Sequence, residues 1–592
     1  MKKVGRAGIL ALFLGSVWLL TACSDSNNTS NNSSLPGGQP KCSPGTAITL
    51  VQEDGAPSNQ TVCGTKSTDT TGGDLYTFLG IQYAASTEGD NRWNDPQPPQ
   101  WTDVEALEYG CRCPQGPGGD KMATDISEDC LFLNVWTTKL TSDGSGDLPV
   151  MVFIHGGAFL EGAGGSNSGD APGHLNLYEG IPFVETSREG GESVVFVTLN
   201  YRLGALGFLA NTDMGIDGNY GIKDQQKALE WVQRNIALFG GDPSRVMIFG
   251  ESAGAQSTAL HLTIPSSQPL FKRAIMESNY AITYMGMEDA SKKSEKFIKE
   301  EKCDDKEDKL ACMRGKSVSD ILDYQLKDIS VEAIVCAGLQ AIIPWNPVID
   351  GKFITQNPIN AQVTKPIMLG SNLTESIPFV GWIPEKDAGI AYKELLAFLF
   401  DDARAAQIKK AYDDQYPSAT DLEKLEYVVT DYLWTCFNRQ FATKPTENAF
   451  RYHFIHHGSF PFWVDKDGDV TGAVCESCND DTSVCHAAEL PFVFGNASDD
   501  AQLEKSFTPD EADMSATLRK YWVQFARGGD PNGSDRTQWP VDTSLNLLQI
   551  GSVSGSGITV ITDDSIATDA HCDEIWNKVG YEVRSAYECK LP

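Results

Sequence analysis

Positive charge is scarce in this chain. Its 592 residues carry 47 Lys and Arg against 80 Asp and Glu, a formal charge of −33. An acidic surface of that size makes nucleic acid and anionic lipid poor partners, and it favours solubility without pointing to a substrate. Histidine is scarce too, 8 residues in all, so chemistry that needs an imidazole has few positions to draw on. The apolar run at the N-terminus, Ile9 to Leu20, is too short to span a bilayer comfortably. There is no internal repeat, and no Pro/Gly/Ser linker beyond residue 40 is long enough to separate two folded domains. These absences exclude a repeat array and argue for one large body with insertions. What is present is an ordinary hydrophobic fraction, 41%, which suits a globular protein with a very large core.

The first residues form a targeting segment. Lys2, Lys3 and Arg6 are a basic start, Ile9 to Leu20 an apolar centre, and Leu20-Thr21-Ala22-Cys23 resembles a bacterial lipobox, whose cysteine is lipidated and becomes the first residue. Ordinary secretory cleavage, with Cys23 incidental, is the plainer alternative. Ser24 to Pro40 is polar and low in complexity, with Leu35 its one large apolar side chain, so it cannot bury enough to fold. The expected organisation is a lipoprotein signal peptide over 1–22, a flexible tether over 23–40 and a single folded domain over 41–592. The expected place is the bacterial cell envelope, exported and held by a lipid on Cys23. Ser24 rather than aspartate follows that cysteine, which favours the outer membrane in a Gram-negative cell.

One stretch organises the rest. Val246 to Phe249 reads as a short buried strand that runs into Gly250-Glu251-Ser252-Ala253-Gly254 and then a helix-forming run, Ala255 to Leu262. This is G-x-S-x-G in the strand–turn–helix setting where it holds a serine hydroxyl out at a sheet edge. So sharp a turn leaves no room for side chains two residues either side of the serine, hence Gly250 and Gly254. The following helix start offers N–H groups and a positive dipole end to an anion formed there. Without chemistry, the same pattern is a Gly/Ser-rich turn.

The surroundings read as alternating strands and helices. Leu75 to Gly80, a strand within Ser127 to Trp136, Leu148 to His155 and Ser193 to Asn200 are strand candidates, the last two continuous apolar runs of the kind found in central strands. Tyr220 to Phe239 has helical periodicity, with Ile222, Leu229, Val232, Ile236 and Phe239 on one face, and Gly240 to Pro243 ends it. Residues from about 285 to 445 read as mostly helical. The fold class is therefore α/β: a large, mostly parallel sheet flanked by helices, with helical insertions. In such sheets ligands bind at the carboxyl ends of strands, where both Ser252 and the Gly156–Phe159 loop lie.

The motifs together resemble the type-B carboxylesterases, the cholinesterase-like branch of the α/β-hydrolases, from about Phe78 to Pro540. They include Glu128-Asp-Cys130, His155-Gly-Gly-Ala-Phe159, Asn200-Tyr-Arg-Leu-Gly204, Phe239-Gly-Gly-Asp-Pro243, Gly250-Glu-Ser-Ala-Gly254, Asn372-Leu-Thr-Glu375 and His486-Ala-Ala-Glu-Leu-Pro-Phe-Val-Phe-Gly495. The resemblance implies a serine hydrolase that cleaves carboxylic esters through an acyl-enzyme. Ser252 would be the nucleophile, His486 the general base and then acid, and Glu375 the carboxylate that fixes the imidazole's tautomer and balances its charge. The oxyanion hole maps to the backbone N–H groups of Gly157, Ala158 and Ala253. Ala158 stands where the family commonly has a third glycine, which keeps the N–H but narrows the space. Glu251 and Ser278 match positions that support the triad. The family's usual Gln-Ser-Gly is Glu277-Ser278-Asn279 here.

Fifteen cysteines less Cys23 leave an even number, and export permits disulfides. Close spacing suggests local staples: Cys42 with Cys63, Cys303 with Cys312, Cys572 with Cys589. The resemblance implies a further bridge from Cys130 to Cys113, or to Cys111 beside it. Cys475-x-x-Cys478 with Cys485-His486 could instead be a zinc cluster, although no second His-rich segment completes a ligand set. Asp465, Asp467, Asp469, Thr471 and Glu476 place oxygens as a calcium loop would, but its glycine position holds Val470, and an acidic Asp/Gly turn is the simpler reading. No cofactor or structural metal is expected. The expected partner is a small-molecule carboxylic ester, with no nucleic acid, and with membrane contact only through the lipid. The competing readings are a lipase acting on long-chain insoluble esters and a non-catalytic cholinesterase-like binding protein. Retention of Ser252, Glu375 and His486 weighs against the latter.

Overall fold

Period-two burial on both faces shapes the centre of the molecule. In the strand Leu148–Ile154, Val150, Val152 and Ile154 join one hydrophobic cluster while Met151 and Phe153 join another, and every one of them is fully buried. The next two strands repeat the pattern: Val195, Val197 and Leu199 oppose Phe196, and Val246 and Ile248 oppose Met247 and Phe249. A strand apolar on both faces is stable only between two covering layers. The structure is a computed structural model and describes residues 42–53, 57–99, 104–116, 125–165, 175–327, 343–381, 383–445, 447–460, 473–496, 507–541, 546–552, 555–562 and 570–581.

In chain order the strands are β1 (Ala47–Val51), β2 (Pro57–Cys63), β3 (Thr65–Thr68), β4 (Asp74–Gln82), β5 (Val104–Glu105), β6 (Phe132–Thr137), β7 (Leu148–Ile154), β8 (Val195–Leu199), β9 (Gly241–Glu251), β10 (Arg273–Glu277), β11 (Ile367–Asn372), β12 (Ala449–Phe454), β13 (Asn546–Ser552) and β14 (Gly555–Thr562). Eleven of them form one sheet in the order β14-β13-β12-β11-β10-β9-β7-β8-β6-β4-β3, and β1, β2 and β5 form a small separate sheet. From β8 to β13 all neighbours run parallel, and the pairs at both ends are antiparallel. The chain therefore has the expected α/β fold, a large mixed sheet flanked by helices.

The parallel register decides where the chemistry can be. Ile154 lies beside Gly250, and Glu277 beside both Glu251 and Gly370. The carboxyl ends of β7, β9, β10 and β11 thus lie along one edge, with Gly156–Phe159, Ser252, Ser278 and Glu375 just beyond them.

The helix Tyr220–Asn235 buries Ile222, Ala228, Leu229, Trp231 and Val232, and a tight 3-10 turn, Ile236–Phe239, continues it to Gly240 at φ 83°. The same helix carries Asp224, which forms a fully buried, bidentate ion pair with Arg202 (Nε–Oδ2 2.7 Å, Nη2–Oδ1 2.7 Å). Removing one partner of such a pair would leave a bare buried charge, a loss of about 3–5 kcal/mol. Packing thus gives a reason for the arginine in Asn200-Tyr-Arg-Leu-Gly204. On the other face, Phe153, Phe183, Phe196, Phe249 and Phe494 pack ring against ring at 4.9–6.2 Å. Among the described residues no helix is long and apolar enough to cross a membrane.

Five disulfides close among the described residues: Cys42–Cys63, Cys113–Cys130, Cys303–Cys312, Cys436–Cys572 and Cys478–Cys485. Two of the local staples are present as expected, and Cys130 takes Cys113 rather than Cys111, which is itself disulfide-bonded. The expected pair Cys572–Cys589 is corrected: Cys572 bonds to Cys436, 136 residues away. The cause is tertiary. The turn Cys572–Trp576 packs Trp576 against Phe400, Tyr412 and Tyr432, beside the helix that begins at Cys436. Cys589 lies outside the described residues. The zinc alternative is set aside, because Cys478 and Cys485 bond to each other and His486 contacts Glu375. Asp465, Asp467, Asp469 and Thr471 lie outside the described residues, as do Cys23 and the tether. Glu476 is exposed on the helix Ala473–Cys478.

Candidate functional site

β9 ends at Glu251 and a helix, Ala253–His261, begins two residues later. Between them Ser252 has φ 55° and ψ −119°, a conformation that L-residues rarely adopt. The space around it explains the glycines. A Cβ on Gly250 would come within 2.5 Å of the Ile154 carbonyl oxygen, and one on Gly254 would overlap that same oxygen. Only two bare Cα atoms let β9 and the helix bend this close to β7. The Ser252 N–H donates to the Glu277 carbonyl oxygen at 3.0 Å, which ties the strained turn to β10.

The loop after β7 is strained as well. Gly157 has φ 94°, and a Cβ there would overlap the Glu161 carbonyl. Ala158 and Phe159 follow at φ 55° and 59° without being glycine. Left-handed backbone costs an L-residue about 1–2 kcal/mol. Ala158 therefore carries a backbone cost beyond the lost space. Among the described residues no acceptor takes the N–H groups of Gly157, Ala158 or Ala253. His155 is stacked on Tyr201 with ring centroids 4.4 Å apart, and burial lowers its pKa to about 4, so it serves packing as a neutral ring.

Glu375, three residues past β11, is fully buried and receives three donors. Its Oε1 accepts from Ser278 Oγ (2.6 Å) and the Asn372 N–H (2.7 Å), and its Oε2 lies 2.5 Å from His486 Nδ1. Glu375 and His486, 111 residues apart, are thus in direct contact. His486 Nε2 lies 3.1 Å from Glu251 Oε1, without the alignment of a hydrogen bond, and no hydrogen bond joins it to Ser252. Phe379 and Trp434 wall the imidazole, their rings 5.2 and 5.6 Å from it, and Trp434 Nε1 donates to the Ser278 carbonyl. Trp434 sits in a π-helical turn, Asp431–Thr435.

Two further carboxylates complete the site, and neither carries a signal of its role in the local sequence. Glu489, within the His486 motif, accepts from Asn372 Nδ2 at 2.5 Å. Glu277 accepts from Trp522 Nε1 at 2.6 Å, and its buried Oε2 has no partner. The departure from Gln-Ser-Gly marked Glu277 as unusual, but only folding reveals that it is fully buried. Burial and the neighbouring Glu489 push the Glu277 carboxyl well above the usual carboxylate range. Burial raises Glu251 and Glu489 too, and each also feels other carboxylates. Burial alone would lower His486, but Glu251, Glu375 and Glu489 outweigh it and raise the imidazole above its ordinary value of 6.5. The cluster holds protons jointly. Among the described residues no group of His, Cys, Asp or Glu is arranged to hold a metal ion.

Comparison with known proteins identifies the family of the chain. The family model described as the carboxylesterase family matches residues 58–555. The chain is 34% identical over 526 residues to a cholinesterase of Mus musculus, covering 80% of this chain and 79% of that one. It is 32% identical over 488 residues to a para-nitrobenzyl esterase of Bacillus subtilis (strain 168), covering 80% and 90%. It is 32% identical over 517 residues to an acylcarnitine hydrolase of Mus musculus, covering 80% and 83%.

Two outcomes follow from the carboxylate cluster. Glu251→Gln removes a negative neighbour of His486, so the imidazolium loses its proton more easily. The rising limb of kcat/KM against pH should move to lower pH than in wild type; an unmoved limb would mean that Glu251 does not set it. Glu277 has a raised folded pKa, so its contribution to stability is full below the unfolded value of 4.5 and is lost as pH rises. Glu277→Gln keeps an oxygen for Trp522 and cannot ionise. Its Tm advantage over wild type should grow from pH 5 to pH 8, and a difference that stays flat would contradict a raised Glu277 pKa.

Proposed function

The chain belongs to the carboxylesterase family and is a carboxylic ester hydrolase, and we propose that it works by a Ser252–His486–Glu375 triad through an acyl-enzyme. What supports this reading most is the buried Glu375–His486 contact at 2.5 Å, at the sheet edge where Ser252 is held in its strained turn. With Nδ1 donating to Glu375, Nε2 is the nitrogen left to take the serine proton. It must turn from Glu251 toward Ser252 Oγ to do so, a tightening common when substrate binds. The serine oxygen attacks the ester carbonyl, and the carbonyl oxygen becomes an oxyanion. The N–H groups of Gly157, Ala158 and Ala253 are its proposed donors; donors aimed at that charge are typically the largest single contribution to catalysis. The imidazolium, held by Glu375, returns the proton to the departing alkoxide. Water, deprotonated by His486, then attacks the acyl-enzyme and regenerates Ser252.

The names of the three relatives have ester hydrolysis in common and differ in the alcohol, so ester hydrolysis is what carries over. A small soluble ester is the proposed substrate class; the methyl of Ala158, in the loop proposed to hold the oxyanion, limits the room for a bulky group. Ser252→Ala should abolish hydrolysis of p-nitrophenyl acetate while leaving the circular dichroism spectrum and Tm close to wild type. A folded variant that retains near wild-type turnover would overturn Ser252 as the nucleophile.

The proposed site of action is the bacterial envelope, with Cys23 lipidated after removal of residues 1–22 and residues 24–40 as tether. The disulfides agree with an oxidising compartment. A single acyl chain binds membranes only marginally, so stable anchoring needs more than one. Full-length protein made in a bacterium should partition into detergent, and Cys23→Ser should release it without loss of activity. Mass spectrometry showing an unmodified mature N-terminus at or after Cys23 would refute the anchor alone.

A further inference from the structure

The disulfide Cys478–Cys485 closes on the residue immediately before His486. Cys478 is the last residue of the helix Ala473–Cys478, and the segment between the two cysteines turns through Asp480, Asp481 and Thr482, all exposed. That turn has little apolar burial of its own to hold it. Its far end, however, is stitched to the segment bearing Glu375. The Thr374 N–H donates to the Val484 carbonyl at 2.9 Å, and the Val484 N–H donates to Thr374 Oγ1 at 2.8 Å. Thr374 and Cys485 form a parallel bridge there. Ile377, two residues past Glu375, packs in one small buried cluster with Cys478 and Cys485.

The backbone on the other side of His486 is strained. Ala487 has φ 68° without being glycine, at a cost of about 1–2 kcal/mol. Such a residue stays in place only where its surroundings hold it from both sides. On the C-terminal side the short helix Leu490–Phe494 is fully buried. On the N-terminal side the holding elements are the core packing of Val484, its pairing with Thr374, and the disulfide. We propose that Cys478–Cys485 is a positioning element for His486, which keeps the imidazole in register with Glu375, so that its loss slows turnover more than it weakens substrate binding or the fold.

The inference rests on His486 as the general base. It differs from a plain staple in what it predicts. A staple removed costs stability wherever it lies. A positioning bridge removed lets the imidazole drift, and a displacement of about 1 Å at a reacting group costs about a hundredfold in rate.

The test compares two double variants of the full chain. Cys478→Ser with Cys485→Ser removes the bridge beside His486. Cys303→Ser with Cys312→Ser removes a bridge of similar span, 9 residues, in a segment that supplies none of the site residues named above. Both are assayed with p-nitrophenyl acetate for kcat, KM, pH profile and Tm. The first should lose on the order of ten- to a hundredfold in kcat with KM nearly unchanged. Its rising limb should shift to lower pH as the Glu375 contact loosens. The second should keep its kcat even where Tm falls. Turnover within about twofold of wild type in the first, or an equal loss in both, would overturn the inference. Should the first variant not fold, the folded wild type is reduced under native conditions and the opening of Cys478–Cys485 followed by mass spectrometry; a fall in kcat at constant KM as this bridge opens supports the inference, and an unchanged kcat overturns it. The Ser252→Ala control separates the two readings. Wild-type turnover that survives Ser252→Ala means that the triad reading has failed. Serine-dependent turnover that is indifferent to the bridge means that only the positioning role has failed.

Discussion

The closest approach in the site is between β9 and β7 at the point where β9 turns into the helix Ala253–His261. The carbonyl oxygen of Ile154 occupies the space that a side chain at Gly250 or Gly254 would need. Everything else at the site depends on this proximity. It forces Ser252 into its strained conformation and anchors its N–H on Glu277. It also brings the loop after β7, with Gly157 and Ala158, to the same edge of the sheet as the start of the helix at Ala253. A longer side chain at either glycine would have to separate the two strands, and the parallel register that aligns four strand ends would be lost with them.

The site is also rich in buried carboxyl groups. Glu251, Glu277, Glu375 and Glu489 lie within or beside it, and one imidazole is their obvious cationic partner. Carboxylates this close cannot all be ionised without solvent, so the cluster retains protons that isolated carboxylates would release. Glu375 is the member with the most donors, three in all, and it is the one in contact with His486. The others are less well satisfied, with Glu251 Oε1 and Glu277 Oε2 left without hydrogen bonds. Glu375 is therefore the best-satisfied carboxylate of the four, held in place where it faces the imidazole. Glu277, where the related pattern carries an amide, adds a buried carboxyl with a raised pKa beneath the serine turn.

Strands were legible wherever burial on both faces left a continuous apolar run, as in Leu148–Ile154 and Val195–Leu199. The turn at Ser252 was legible because its glycines and serine are neighbours in sequence and their steric demand is local. The helix from Tyr220 is legible in its periodicity, which runs on to Phe239 although the α-helix gives way to a 3-10 turn at Ile236. Glu375, by contrast, reads from its own neighbourhood as a surface carboxylate. Its assignment came from the resemblance, and its burial follows from the end of β11 lying between β10 and β12. The pairing of Cys572 misled because close spacing suggested Cys589, whereas the packing of Trp576 carries Cys572 to Cys436.

By itself, then, the sequence determined what depends on short-range sterics and periodic burial: the α/β class, the strand–turn–helix around Ser252, the local bridges Cys42–Cys63 and Cys303–Cys312, and a family likeness spread over many motifs. Only the tertiary structure decided which distant groups meet. It put His486 against Glu375, gathered Glu251, Glu277 and Glu489 around them, walled the imidazole with Phe379 and Trp434, and joined Cys485 to Cys478 rather than to a metal. The physical reason is that these contacts are made across strand ends and loops separated by tens to hundreds of residues. Their partners are set by sheet order and register, which no single stretch of the chain encodes.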